Sequence, residues 1–145
     1  MKRFWILVLS LVIFSIPVMA DDDRPISLDK MPQKAQAFVA QYFPGADIAI
    51  AKQERGVADR SYDVIFNNGD KVEFDRNGVW TNVDCKYTAV PDGIVPDKIA
   101  GYVKGHFPGV KVIQIEKDDR RYEVELSNGV ELTFNNSFKL LDVDL

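Results

Sequence analysis

Apolar positions recur with helical spacing in two stretches of the chain. Ala35, Phe38, Val39 and Tyr42 stand at i, i+3, i+4 and i+7, and Ile99, Tyr102, Val103 and His106 take the same places. Pro32 and Pro96 open the two runs, since a first helical turn has no use for the missing N–H. Phe43-Pro44-Gly45 and Phe107-Pro108-Gly109 close them, because proline cannot continue a helix and glycine accommodates the exit. Elsewhere the period is two. Tyr62, Val64 and Phe66 with Val72 and Phe74 share one face of a hairpin, as do Tyr122, Val124 and Leu126 with Leu132 and Phe134. Further strands are predicted over 48–54, 79–85, 110–117 and 139–143. The stretch 31–45 returns as 95–109, and 62–69 returns as 122–129. The predicted architecture is therefore α+β: two tandem repeats, 28–88 and 89–145, each a helix packed on a four-stranded antiparallel sheet.

Loop length decides the pairing within each hairpin. A two-residue turn at Asn68-Gly69 would set Val64 opposite Glu73, and a slip of one residue exchanges the faces. A three-residue loop, Asn67-Asn68-Gly69, instead pairs Val64 with Val72 and Tyr62 with Phe74. Ser127-Asn128-Gly129 likewise pairs Val124 with Leu132 and Tyr122 with Phe134. The outer face then sets Asp63 against Glu73 and Glu125 against Glu131, beside Asp75 and Glu123, with Lys71 the nearby base. Like charges directly opposite one another are unfavourable. One reading is a solvated face that maintains solubility. The sharper one is a face that receives a basic protein surface or cations. Trp80 joins these residues as an anchor if a two-residue Asn77-Gly78 turn sends it outward; a three-residue turn would pack it against Phe74.

The N-terminus predicts export. Lys2 and Arg3 precede an apolar run from Phe4 to Val18, which ends at Val18-Met19-Ala20 before Asp21-Asp22-Asp23. That describes a secretory signal cleaved after Ala20 rather than a membrane span, and the product would be periplasmic or otherwise exported with no stable membrane anchor. Residues 21–27 read as a flexible acidic tail. The whole chain carries a net charge of −4, and removal of Lys2 and Arg3 with the signal makes it −6. Such a balance argues against nucleic acid as a partner.

Catalysis finds little support. Cys85 is the one cysteine, so no internal disulfide forms, and burial is its expected state. His106 is the one histidine and occupies a helix slot held by Tyr42 in the other run, which excludes two-histidine metal sites within one chain. A Cys85–His106 pair lacks any evident third, orienting group. Neither Asp21-Asp22-Asp23 nor Asp118-Asp119 has the ligand spacing of an EF-hand, and no cofactor motif is present. The reading is a non-enzyme without cofactor or bound metal, the alternative being a small-ligand or cation-binding periplasmic protein.

Tyr62-Asp63-Val64, Asn68-Gly69, Val72-Glu73-Phe74-Asp75, Gly78-Val79-Trp80 and Val83-Asp84-Cys85, followed by the second helix and His106-Phe107-Pro108-Gly109, resemble the PepSY-like family of exported Bacteroidetes proteins. The likeness covers nearly all of 28–145, although Asn136-Ser137-Phe138 replaces the Asn77-Gly78 turn in the second half. It implies a fold similar to beta-lactamase inhibitor protein, two helix-plus-four-strand units whose sheets adjoin. It also implies a binding or inhibitory module with no family catalytic residues. The residues expected to meet a partner are Asp63, Glu73, Asp75, Trp80, Glu123, Glu125 and Glu131.

Overall fold

A computed structural model describes residues 23–56 and 59–145. The signal expected at 1–20, and Asp21 and Asp22, lie outside the described residues. Strand β1 (Arg24–Pro25) and a short 3-10 turn (Leu28–Lys30) lead into helix α1 (Gln33–Tyr42). Strands β2 (Ile48–Arg55), β3 (Arg60–Phe66), β4 (Lys71–Phe74) and β5 (Trp80–Asp84) follow. Helix α2 (Asp97–His106) then precedes β6 (Val112–Lys117), β7 (Arg121–Leu126), β8 (Glu131–Asn135) and β9 (Leu140–Asp144). Pro32 and Pro96 stand at the N-caps, and the Phe43 and Phe107 N–H groups close the last turns on Val39 and Val103.

Among the described residues the strands form one nine-stranded antiparallel sheet in chain order, which overturns the expected two tandem units with a four-stranded sheet each. Two such units would each leave the backbone of an edge strand unpaired. Here β5 and β6 satisfy one another instead, with Asn82 opposite Glu116, Val83 opposite Ile115 and Asp84 opposite Gln114. The seam runs on beyond the strands, where Cys85 N–H donates to Ile113 O at 2.8 Å and Val90 N–H to Val112 O at 2.9 Å. The expected tail is also anchored from Arg24 onward. Arg24 and Pro25 lie opposite Gln53 and Lys52, and Ile26 N–H donates to Ala51 O while its side chain packs on the core.

Both helices cover the same side of this sheet. Ala35 and Val39 of α1 and Ile99 and Val103 of α2 are buried with Val64, Val72, Phe74, Val83, Ile115, Val124, Leu132 and Phe134. Phe38 meets Phe74 edge-on at 5.6 Å between ring centroids, and Tyr102 meets Phe134 in the same way at 5.5 Å. These are favoured aromatic geometries, and the burial of such large side chains supplies the main drive for the helices to dock.

The hairpins explain the register. Asn67-Asn68-Gly69 and Ser127-Asn128-Gly129 are three-residue loops, with Gly69 at φ 91° and Gly129 at φ 88°. They set Tyr62 opposite Phe74, Val64 opposite Val72, Tyr122 opposite Phe134 and Val124 opposite Leu132, as the alternation demands. Arg76-Asn77-Gly78 is a third such loop: Asp75 N–H donates to Val79 O, and Gly78 N–H returns to Asp75 O. Gly78 has φ 80°, and a Cβ built there would stand 2.7 Å from Pro32 Cβ and 2.9 Å from the Ala35 backbone nitrogen. The turn therefore seats against the start of α1 only when that side chain is absent. Gly78→Ala should lower the unfolding free energy by about 1–2 kcal/mol, through backbone strain and displacement of α1. Urea denaturation of the two proteins measures this, and an unchanged midpoint would refute the account.

Candidate functional site

The side of the sheet opposite the helices carries two polar rows that run across the strands. One row passes from Lys52 through Asp63, Glu73, Asn82, Glu116, Glu123 and Thr133 to Asp142. The other passes from Ile50 through Ile65, Lys71, Asp84, Gln114, Glu125 and Glu131 to Asp144. Strand alternation dictates this, because every apolar residue given to the core sends its neighbour to the far side.

The two ends of this face differ in charge balance. Across β2–β4 the acids are held by lysines. Lys52 Nζ lies 2.8 Å from Asp23, 2.7 Å from Glu54 and 3.6 Å from Asp63, and Lys71 Nζ lies 3.1 Å from Asp63 and 2.6 Å from Glu73. Asp63 is only 2 % exposed, and its Oδ2 faces both lysines without a well-directed hydrogen bond. Burial is the main influence on its carboxyl and holds it above the usual aspartate value despite Lys71, with Glu54 and Glu73 adding repulsion. The lysines are held charged: hydrogen bonds that Lys52 donates to Asp23 and Glu54 raise its ammonium above the usual lysine value. For Lys71, contacts with Glu73 and Asp63 prevail over the opposing effect of burial.

Across β6–β9 the compensation is sparse. Glu116 lies opposite Glu123, Glu125 opposite Glu131, and Glu131 opposite Asp144. The base that these strands turn to this side is Arg121, which pairs with Glu123 at 3.0 Å and reaches Asp118 at 3.9 Å. Glu116 is pushed above the ordinary glutamate value by burial, then by Glu123, Glu73 and Asp118. Gln114, Glu116, Glu123, Glu125, Glu131 and Thr133 border a shallow depression of about 200 Å³ here. Between the two ends, Gln114 donates to Asn82 at 3.1 Å and Asn82 to Glu73 at 3.2 Å, a neutral bridge across the seam.

Of the seven residues expected to meet a partner, the structure gathers Glu123, Glu125 and Glu131 on the acidic half. Glu73 lies on the same face within the lysine network, and Asp63 lies buried beneath it. Asp75 serves its own turn, its Oδ1 accepting from the N–H groups of Asn77 and Val79. Trp80 belongs to the other side. A bulge between Glu73 and Phe74 on the partner strand leaves Thr81 as the extra residue and sets Trp80 opposite Phe74. There it packs against Phe38 at 6.4 Å, and Lys117 Nζ lies 4.1 Å from the ring centroid. Glu116, Asp142 and Asp144 were missed, although alternation from Val83, Ile115 and Val143 points to all three.

The cysteine and histidine are not brought together as a nucleophilic pair. Cys85 is fully buried among Asp70 and Thr88, and burial, with Asp70 next, pushes its thiol up to about 12. His106 is exposed, stacked on Tyr102 at 4.0 Å with Nδ1 3.0 Å from the Tyr102 carbonyl. Among the described residues, no group of three or more His, Cys, Asp or Glu is placed to hold a metal ion, and no helix is long and apolar enough to cross a membrane.

An antiparallel sheet backed by helices on one side, with an acidic far side, defines a class of fold rather than an active site. The family model described as "Putative beta-lactamase-inhibitor-like, PepSY-like" matches residues 60–142, and the chain belongs to this family. A crystal structure described as a putative periplasmic protein of the DUF2874 family from Bacteroides vulgatus is 51% identical, with TM-score 0.85, covering 87% of this chain and 99% of that one. One described as a putative calcium-regulated periplasmic protein from Bacteroides thetaiotaomicron is 49% identical, with TM-score 0.84, covering 86% and 98%. A third, described as a putative periplasmic protein of unknown function from Bacteroides vulgatus, is 30% identical, with TM-score 0.79, covering 85% and 99%. No curated protein matches the chain.

Proposed function

We propose that this is a non-catalytic periplasmic protein that binds a basic protein surface on the acidic half of its open sheet face, in the manner of an inhibitor. The observation that carries this reading is the succession of like-charged cross-strand neighbours Glu116–Glu123, Glu125–Glu131 and Glu131–Asp144. Each such neighbour opposes folding of the isolated chain, and a cationic partner would relieve all of them together. The raised Glu116 carboxyl has the same cause in part, and such a partner would lower it again. Periplasmic residence is supported by the description of the three relatives and by the signal-like N-terminus.

The test is binding to a basic periplasmic protein captured by the chain. Glu125→Lys with Glu131→Lys should weaken the affinity about tenfold or more, equivalent to roughly 1.4 kcal/mol. The wild-type affinity should also fall as salt is raised from about 0.05 M to about 0.5 M, because screening strengthens over that range. Salt-independent binding that tolerates both reversals would end the proposal. A cation reading is favoured by the description of the Bacteroides thetaiotaomicron relative as calcium-regulated. A calcium-dependent rise in Tm that Glu125→Lys abolishes would select it over protein docking.

A further inference from the structure

We propose that the free edge of β9 accepts an added strand from a partner protein, an extended segment that alternates basic and apolar residues. The two edges of the sheet are built differently. The β1 edge is two residues long, and one of them is Pro25, which has no N–H to offer. Short edges and prolines are means of blocking unwanted pairing. The β9 edge has five residues, Leu140–Asp144, none of them proline or lysine, and among the described residues no strand pairs with its outer side.

Side chains on β9 match an added strand on both faces. Leu141 is 57% exposed and Val143 is 39% exposed, an unusual display of large apolar groups on an edge. Val143 lies opposite buried Leu132, so an apolar residue beside it would extend the layer beneath the helices. Asp142 and Asp144 end the two polar rows on the open face. The bulge at Leu141 twists only the start of the strand and leaves Asp142–Asp144 in regular register.

Charge decides between occupants. A second copy pairing antiparallel through β9, centred on Val143, would set Asp142 against Asp144 twice. Like charges at directly opposed positions work against that arrangement. A strand bearing Lys or Arg at alternate positions places cations beside both aspartates and valine-like residues beside Val143. In strand addition the main chain provides affinity, and alternate side chains provide selectivity. The inference shares with the face reading only the basic character of the partner. It rests on the edge and not on the glutamates.

The probe is an acetylated and amidated seven-residue peptide, Lys-Val-Lys-Val-Lys-Val-Lys, compared with the same peptide N-methylated at every residue. Both carry the same charge, but only the first can donate main-chain hydrogen bonds. The expected result is at least tenfold tighter binding of the first peptide by calorimetry, with at least tenfold slower amide exchange over 140–144. Equal affinity for the two peptides, no binding, or protection of these amides by self-association in the absence of peptide would each overturn the proposal. Equal affinities that both fall in Glu125→Lys would sink the edge and keep the face. Protection of 140–144 that survives Glu125→Lys with Glu131→Lys would keep the edge while the face reading fails.

Discussion

Truncating Phe134 to alanine should lower the unfolding free energy by about 3–5 kcal/mol, the cost of deleting a fully buried aromatic ring. Phe134 is 1% exposed in β8, lies opposite Tyr122 and Leu140, and carries Tyr102 of α2 edge-on across its ring. None of these neighbours is free to collapse into the vacated space, since each is held by its own strand or helix. The continuous sheet adds a second expectation. Because Val83 and Ile115 join β5 to β6 in the core, a defect in β8 must be felt at Trp80 in β5. In a chain lacking 1–20, and so lacking Trp5, the fluorescence midpoint of Trp80 in urea should fall as far as the circular dichroism midpoint. Two transitions, with Trp80 indifferent to Phe134→Ala, would show that β2–β5 and β6–β9 unfold as separate units.

Asp63→Ala should cost about 1–2 kcal/mol at neutral pH. Removing one partner from a buried ion pair costs roughly 3–5 kcal/mol where it strands the other charge, and the cost here falls short of that. Lys71 keeps Glu73, and Lys52 keeps Asp23 and Glu54, so neither cation is stranded. The pH dependence has a definite sign. The folded carboxyl stands above the 3.8 of the free side chain, so the folded chain holds the Asp63 proton more tightly than the unfolded chain. Its linkage contribution is fully present below 3.8 and is lost as pH rises through the folded value. Relative to Asp63→Asn, the wild type should therefore gain stability as pH falls from neutrality toward 4, as measured by urea unfolding at each pH. A difference that stays flat, or moves in the variant's favour, would contradict this. For the same reason Asp63 is a poor residue for charge reversal in a binding assay, and Glu125 and Glu131 are the cleaner choices.

What the chain discloses on inspection is mostly local. The helices were legible because apolar spacing, an opening proline and Phe-Pro-Gly agree at both sites. The hairpin register was legible because only the three-residue loops keep Lys71 and Glu73 out of the core. The union of β5 with β6 was not, since it links Val83 to Ile115 across an intervening helix, and no periodicity reports a pairing so distant. Strand β1 escaped for another reason: two residues, one a proline, carry no strand pattern. The placement of Trp80 hung on a single bulged residue, Thr81, which reverses the face of everything before it. Recurrence in the sequence predicted two units, whereas edge pairing made one sheet.

Three of the hairpin loops place glycine at the position that needs positive φ, but the loop before β9 places Phe138 there, at φ 63°. A left-handed conformation costs an L-residue about 1–2 kcal/mol, and contact with Tyr122 at 5.5 Å offsets part of that. The turn into β9 thus carries backbone strain at a margin that is also open. Fraying there would let the outermost ribbon adjust its path to a visitor while the remaining eight strands keep their shape.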